Sequence, residues 1–137
     1  MAIEAVTPPF VLPDLSDVVL TAKFFRALGD PTRLRMLEAI VKEEKSVSHL
    51  VELTGAPQGR VSSHLACLRW CGFVRARRDG RHVYYRVTDP RVKQILRLGD
   101  SLVKLHAERI RACTIVDEKT GSRRPREGFS RRTPGRR

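Results

Sequence analysis

The chain has 137 residues, a formal charge of +12 from 27 Lys+Arg against 15 Asp+Glu, and 41% hydrophobic residues. That is one domain's worth of sequence with enough apolar matter for one modest core, which argues against a wholly disordered chain. No apolar run approaches the ~20 residues that cross a bilayer, and the first basic residue is Lys23, so the N-terminus lacks the basic start of a secretory signal.

Three cysteines are an odd number and too few for a disulfide framework. The expected setting is a reducing cytoplasm, with no membrane partner and with thiols free for packing, metal binding or redox chemistry. The charge is uneven. Residues 119–137 hold eight basic residues and one acid, a net +7, which leaves +5 on residues 1–118. A polyanion suits this balance, because each neutralised phosphate releases counterions. The tail reads as a solvated, disordered end, compatible with non-specific DNA contact.

Residues 1–15 form an irregular lead-in with prolines at 8, 9 and 13. Ser16 is the expected N-cap of a first helix in which Val19, Leu20, Phe24 and Ala27 recur at three- and four-residue spacing. Gly29 stops it, and Asp30-Pro31 starts the next helix with a cap and a first-turn proline. Leu34, Leu37, Ile40 and Val41 are its apolar stripe, and the polar residues 42–45 end it. Ser46 caps a short helix carrying Val47, Leu50, Val51 and Leu53, broken at Gly55. Pro57 opens a helix to about Trp70, with Val61, Leu65 and Leu68 as its buried stripe. Two short helices joined by a tight turn with a glycine have the form of a helix-turn-helix.

After Gly72 the period changes from 3.6 to 2. Val74 and Ala76 alternate with Arg75 and Arg77, Asp79-Gly80 is the expected two-residue turn, and Val83, Tyr85 and Val87 return. The result is a two-stranded wing with Arg77, Arg78 and Arg81 at its tip. Asp89-Pro90 caps a last helix over 91–112, whose apolar face exceeds what a small domain buries in its own core, so the surplus suggests a subunit interface. The fold class expected is mainly α, a winged helix-turn-helix of residues 16–113 followed by the basic tail 114–137.

No Gly-rich phosphate loop, Ser/His/Asp set or convincing carboxylate pair is present, so an enzyme is not expected. Cys67 and Cys71, four apart, share a helix face about 110° from the buried stripe at 100° per residue. Arg60 and His64 share that flank, and Arg69 and Arg75 are near in sequence; positive charge would lower the thiol pKa values. The pair cannot close a metal shell alone, and sulfur-only ligation selects a soft, thiophilic metal. Packing, and a redox or persulfide switch, are the other readings of these cysteines. Trp70 is expected to pack rather than stack on a base, and His64 to contact DNA or pack.

The residues resemble the ArsR/SmtB-type metal-responsive repressors. The likeness covers about residues 17–112 and rests on three segments. They are Ala27-Leu28-Gly29-Asp30-Pro31-Thr32-Arg33, Val61-Ser62-Ser63-His64-Leu65 with Leu68-Arg69, and Gly80-Arg81-His82-Val83-Tyr84-Tyr85. The resemblance implies a homodimeric repressor of double-stranded operator DNA, joined through its first and last helices. Arsenite-type ligands are absent from residues 47–53, and Asp100, His106 and Glu108 do not match the spacing of the zinc-type site. Cys67-x-x-x-Cys71 matches the pair of the cadmium- and lead-sensing branch, which draws its third cysteine from the partner's C-terminal region. Cys113 is the one candidate for that role, and mercury or arsenite would also suit three sulfurs.

On this reading Gln58, Arg60, Ser62, Ser63 and His64 face a major groove, and the wing arginines reach phosphates or a minor groove. The alternatives are a winged-helix regulator sensing reactive sulfur or oxidants through the same cysteines, and a nucleic-acid-coating protein using its basic tail.

Overall fold

The computed structural model describes residues 10–119. The basic stretch beyond Lys119 and the first nine residues lie outside the described residues. The chain divides into two compact units, one up to Arg97 and one from Leu98 onward.

In the first unit, α1 spans Leu15–Leu28. Its N-cap is Asp14 rather than Ser16: the Asp14 carboxylate accepts from the Ser16 backbone N–H at 2.8 Å and from the Ser16 hydroxyl. A carboxylate is the stronger acceptor, so it takes the cap and the helix begins two residues earlier. α2 spans Pro31–Lys42, with the Asp30 side chain accepting from the Arg33 N–H at 2.9 Å. α3 spans Val47–Thr54 and α4 Gln58–Trp70. Gly55, at φ +69°, turns the chain between them in the left-handed conformation that glycine adopts without steric cost.

The core is Met36, Leu37 and Ile40 of α2, Leu50 of α3, Val61, Leu65 and Leu68 of α4, with Ala27, Phe73, Val74 and Val92. The stripe expected on α4 is fully buried. Met36, not foreseen, is buried as well, whereas Val19, Leu20 and Leu53 stand exposed. Helical spacing does not say which side of a helix meets the core. Phe24 closes one side of the core, its ring 4.7 Å from that of Phe73.

The wing is β2 (Arg75–Asp79) against β3 (His82–Arg86), antiparallel. Asp79 pairs with His82, so the two loop residues are Gly80-Arg81, one position later than expected. Gly80 has φ +57° and among the described residues no non-glycine residue has positive φ, which fits a turn with glycine first rather than one needing two positive φ values. A third strand, β1 (Lys45–Ser46), pairs with the other edge of β3. It ties the hairpin to the helices, which a lone two-stranded ribbon needs.

α5 spans Pro90–Ala112, and the division between the units falls within it. Asp89 caps it, accepting from the Arg91 N–H at 2.9 Å. Hydrogen bonds from Arg91 push the Asp89 carboxyl down to about 2.

In the second unit the helix has non-helical backbone angles at His106 and ends before Cys113. A further helix, α6, covers Thr114–Lys119. The start of the stretch expected to be a disordered tail is thus helical. Among the described residues no helix is long and apolar enough to cross a membrane.

Candidate nucleic-acid interface and metal centre

α4 carries both kinds of candidate residue. Its N-cap is Pro57, and no side chain caps it; the Pro57 carbonyl accepts from the Arg60 and Val61 N–H groups. Gln58, Arg60, Ser62 and Ser63 are exposed. The Ser63 hydroxyl donates back to the Gly59 carbonyl at 3.0 Å, which leaves its lone pairs free to accept.

His64 is turned the other way. Its Nδ1 lies 3.3 Å from Arg33 Nη1, its Nε2 lies 3.9 Å from the Asp30 carboxylate, and its side chain is 15% exposed. An arginine can only donate, so Nδ1 is the unprotonated nitrogen in this contact. Arg33 also donates from Nε to the Ala27 carbonyl at 2.7 Å and from Nη2 to the Arg26 carbonyl at 3.2 Å. One guanidinium therefore ties the end of α1 to α4 through His64. The Asp30-x-x-Arg33 segment thus works as a joint: Asp30 caps α2 and Arg33 caps the carbonyl end of α1.

Cys67 and Cys71 are free, half-buried and packed against the core. Their backbones are joined by the Cys71 N–H to Cys67 carbonyl bond of 3.1 Å. Burial pushes the Cys71 thiol up; the charge of Cys67 and a hydrogen bond between the two sulfurs add to this, and Lys23 and Arg33 oppose it. The expected lowering of the Cys71 thiol by Arg60, His64, Arg69 and Arg75 therefore does not hold. Those groups are near in sequence, but burial outweighs the cations that actually face the sulfur. A cavity of 360 Å³, lined by Phe24, Cys71, Phe73, Asp89, Val92 and Ile95 among others, opens beside Cys71.

Cys113 belongs to the second unit, half-buried between α5 and α6, with its N–H bonded to the Ile110 carbonyl at 3.2 Å. Among the described residues no three His, Cys, Asp or Glu side chains form a group that could hold a metal. Cys67 and Cys71 fit two positions of a three-sulfur soft-metal shell, with their sulfurs within hydrogen-bond contact.

On the wing, Arg77 is already engaged. Its Nε and Nη2 both reach Glu44 Oε1 at 2.8 Å, its Nη1 lies 3.7 Å from Asp79, and its guanidinium sits 5.0 Å from the centre of the Tyr84 ring. Arg78 and Arg81 are exposed, with no ion pair among the described residues.

Two further arginines of the strands stand outside the set expected to contact DNA. Arg75 and Arg86 face each other across the two strands, and both are exposed. Like charges directly opposite repel unless an anion lies between them. The pairing register is the signal that finds them, and it follows from the position of the turn. Trp70, expected to pack, stands 91% exposed.

This arrangement of helix-turn-helix, wing and joint has counterparts among known proteins. Residues 30–76 match the description "Bacterial regulatory protein, arsR family". The "Probable mercury resistance operon repressor" of Streptomyces lividans is 47% identical over 96 residues, covering 70% of this chain and 77% of that protein. The crystal structure of Rv0081 from Mycobacterium tuberculosis superposes with a TM-score of 0.65 at 31% identity, over 71% of this chain and 99% of that one. The homodimeric winged helix-turn-helix DNA-binding domain Mb0332 of Mycobacterium bovis gives 0.61 at 27% identity, over 71% and 92%. The matched fold is that of DNA-binding transcriptional regulators, not of enzymes. Both the capped start of α2 and the whole helix-turn-helix fall inside the matched segment, and the likeness to the Streptomyces protein extends well beyond it; this chain belongs to the arsR family of bacterial regulatory proteins.

Proposed function

We propose that this protein is a metal-responsive transcriptional repressor that binds operator DNA as a homodimer and releases it when a soft, thiophilic metal binds. The effector class is cadmium, lead, mercury or trivalent arsenic. The observation that carries this reading is the placement of Cys67 in the last turn, and Cys71 at the C-cap, of the helix that also presents Gln58, Arg60, Ser62 and Ser63. The name of the Streptomyces relative supports a metal effector, and the homodimeric Mb0332 domain supports a dimer.

Gln58, Arg60, Ser62 and Ser63 serve the major groove, and Arg78 and Arg81 serve phosphates or the minor groove. Arg77 contributes less, because Glu44 neutralises it. His64 acts as a strut to Arg33 rather than as a base reader. Cys67 and Cys71 supply two thiolates and Cys113 the third. A soft ion held by these sulfurs would take the place of their thiol protons and would favour a closer arrangement of the sulfurs. Any shift of Cys67 and Cys71 is a shift of α4 itself, and a coupling of ~1–3 kcal/mol changes DNA affinity about 5–150-fold.

The test is operator affinity with and without cadmium, lead or mercury, alongside the ultraviolet absorption of thiolate-to-metal charge transfer. Cys67→Ser is expected to bind operator normally, to lose that absorption and to ignore the metal. A Cys67→Ser protein that still lets go of DNA on metal addition overturns the mechanism.

A further inference from the structure

Trp70 is the chain's single tryptophan, and its indole stands free at the last turn of α4. Tryptophan is highly buried on average, and covering one removes roughly 150–250 Å² from water. On α4, Gly59, Ser63, Ala66 and Trp70 follow one another at steps of four, three and four, all exposed, on the side opposite the buried Val61, Leu65 and Leu68. The first three are small, so the helix can approach another surface closely until Trp70 is reached. This ridge is about 16 Å long at 1.5 Å per residue. A major groove is about 12 Å wide, so a helix lying across its floor brings its far end out against a sugar–phosphate wall.

Beside Trp70 lies an open valley of 540 Å³ lined by Ser62, Ala66, Arg69, Trp70 and Tyr85, between α4 and the wing. No acid lines it. Strand register puts Arg78 on the same face of the hairpin as Tyr85, so positive charge continues toward the tip. When a helix enters the major groove and a wing the adjacent minor groove, the strand separating the two grooves passes between them.

We infer that this valley seats one sugar–phosphate strand of duplex DNA. Trp70 packs its indole on the sugars and donates its Nε1–H to a phosphate oxygen, while Arg69 neutralises a phosphate. The inference rests on the DNA-binding reading above and adds to it a contact that is blind to sequence. A second copy of this chain is the competing occupant; the charge of the valley and its continuity with the α4 ridge favour DNA.

Because Trp70 is the single tryptophan, its fluorescence reports this site alone. The full chain is used with a duplex that it selects from a random-sequence pool. Acrylamide is expected to quench the indole freely in the DNA-free protein and much less in the complex. Trp70→Ala is expected to weaken binding about tenfold on the scale of a lost aromatic contact, with Trp70→Phe recovering part of the loss. Arg69→Gln is expected to lower the slope of log affinity against log salt by about one.

An indole already shielded in the DNA-free protein assigns the valley to a second copy and overturns the inference. An indole that stays open in a tight complex also overturns it, yet leaves the DNA-binding reading standing. A chain that retains no duplex from the pool removes both.

Discussion

Cys71 shows how a single side chain is set by opposing terms. Burial and its neighbour Cys67 hold its proton on, while Lys23 and Arg33 pull the other way and lose. A metal must displace that proton, so binding becomes stronger as pH rises toward the raised thiol value. Below it, Cys71 contributes one displaced proton, so Cys71→Ser is expected to make the fall of affinity with falling pH shallower by about tenfold per pH unit. Competition titration with cadmium at several pH values measures both slopes. The same shift bears on stability with a definite sign. The folded protein holds the Cys71 proton more tightly than the unfolded chain, so this contribution is fully present at neutral pH. It is lost as pH rises through the ordinary thiol range and past the folded value. Cys71→Ser should therefore flatten the alkaline fall in urea stability.

Among the elements, the wing depends most on its attachments. β1 contributes two residues to the edge of β3, and Glu44, just before β1, pairs with Arg77 of β2. The pair is partly exposed, so it is worth only ~0.2–1 kcal/mol of stability. Its larger consequence is electrostatic. Glu44 occupies a guanidinium that would otherwise be free for phosphate, on the strand face that also carries the opposed Arg75 and Arg86. Glu44→Gln is therefore expected to change the melting temperature little. It should strengthen non-specific DNA binding and steepen its salt slope by about one. Fluorescence anisotropy with a labelled duplex over a range of salt concentrations checks this; an unchanged slope would mean that Arg77 stays clear of phosphate even when released.

At the scale of the whole molecule, apolar surface is left over. α1 exposes Leu15, Val18, Val19, Leu20 and Phe25, and in the second unit α5 exposes Leu98, Leu102, Val103, Leu105 and Ile110. Soluble monomers rarely expose this much contiguous apolar side chain along helices, and a specific interface needs about 1,200–2,000 Å² in total. Leu102→Glu places a charge on that surface without touching the core of the first unit. It is expected to yield a folded monomer by sedimentation. Affinity for a two-half-site operator should fall by about a hundredfold or more, since the two recognition helices are no longer linked. A Leu102→Glu protein that sediments as a dimer would place the interface elsewhere.

Element order was legible from local chemistry. Asp30-Pro31 and Asp89-Pro90 start helices because a carboxylate and a fixed φ satisfy helix ends wherever they occur. Val61, Leu65 and Leu68 are buried because that spacing makes one stripe on any α-helix. The cysteine pair was legible for the same reason, since four residues make about one helical turn.

What escaped the sequence depends on contacts between distant residues. β1 is two residues long and has no period of its own; only the edge of β3, some 40 residues on, makes it a strand. His64 turns inward because Arg33, 31 residues away, meets it, and Arg77 is neutralised by Glu44, 33 residues away. Burial settles the direction of the Cys71 shift against the nearby cations, and burial is a property of the packed core. Trp70 looked like a packing residue because of its type. It stands exposed because the core is closed by Leu65, Leu68 and Phe73, which leaves the indole on the opposite side of the helix.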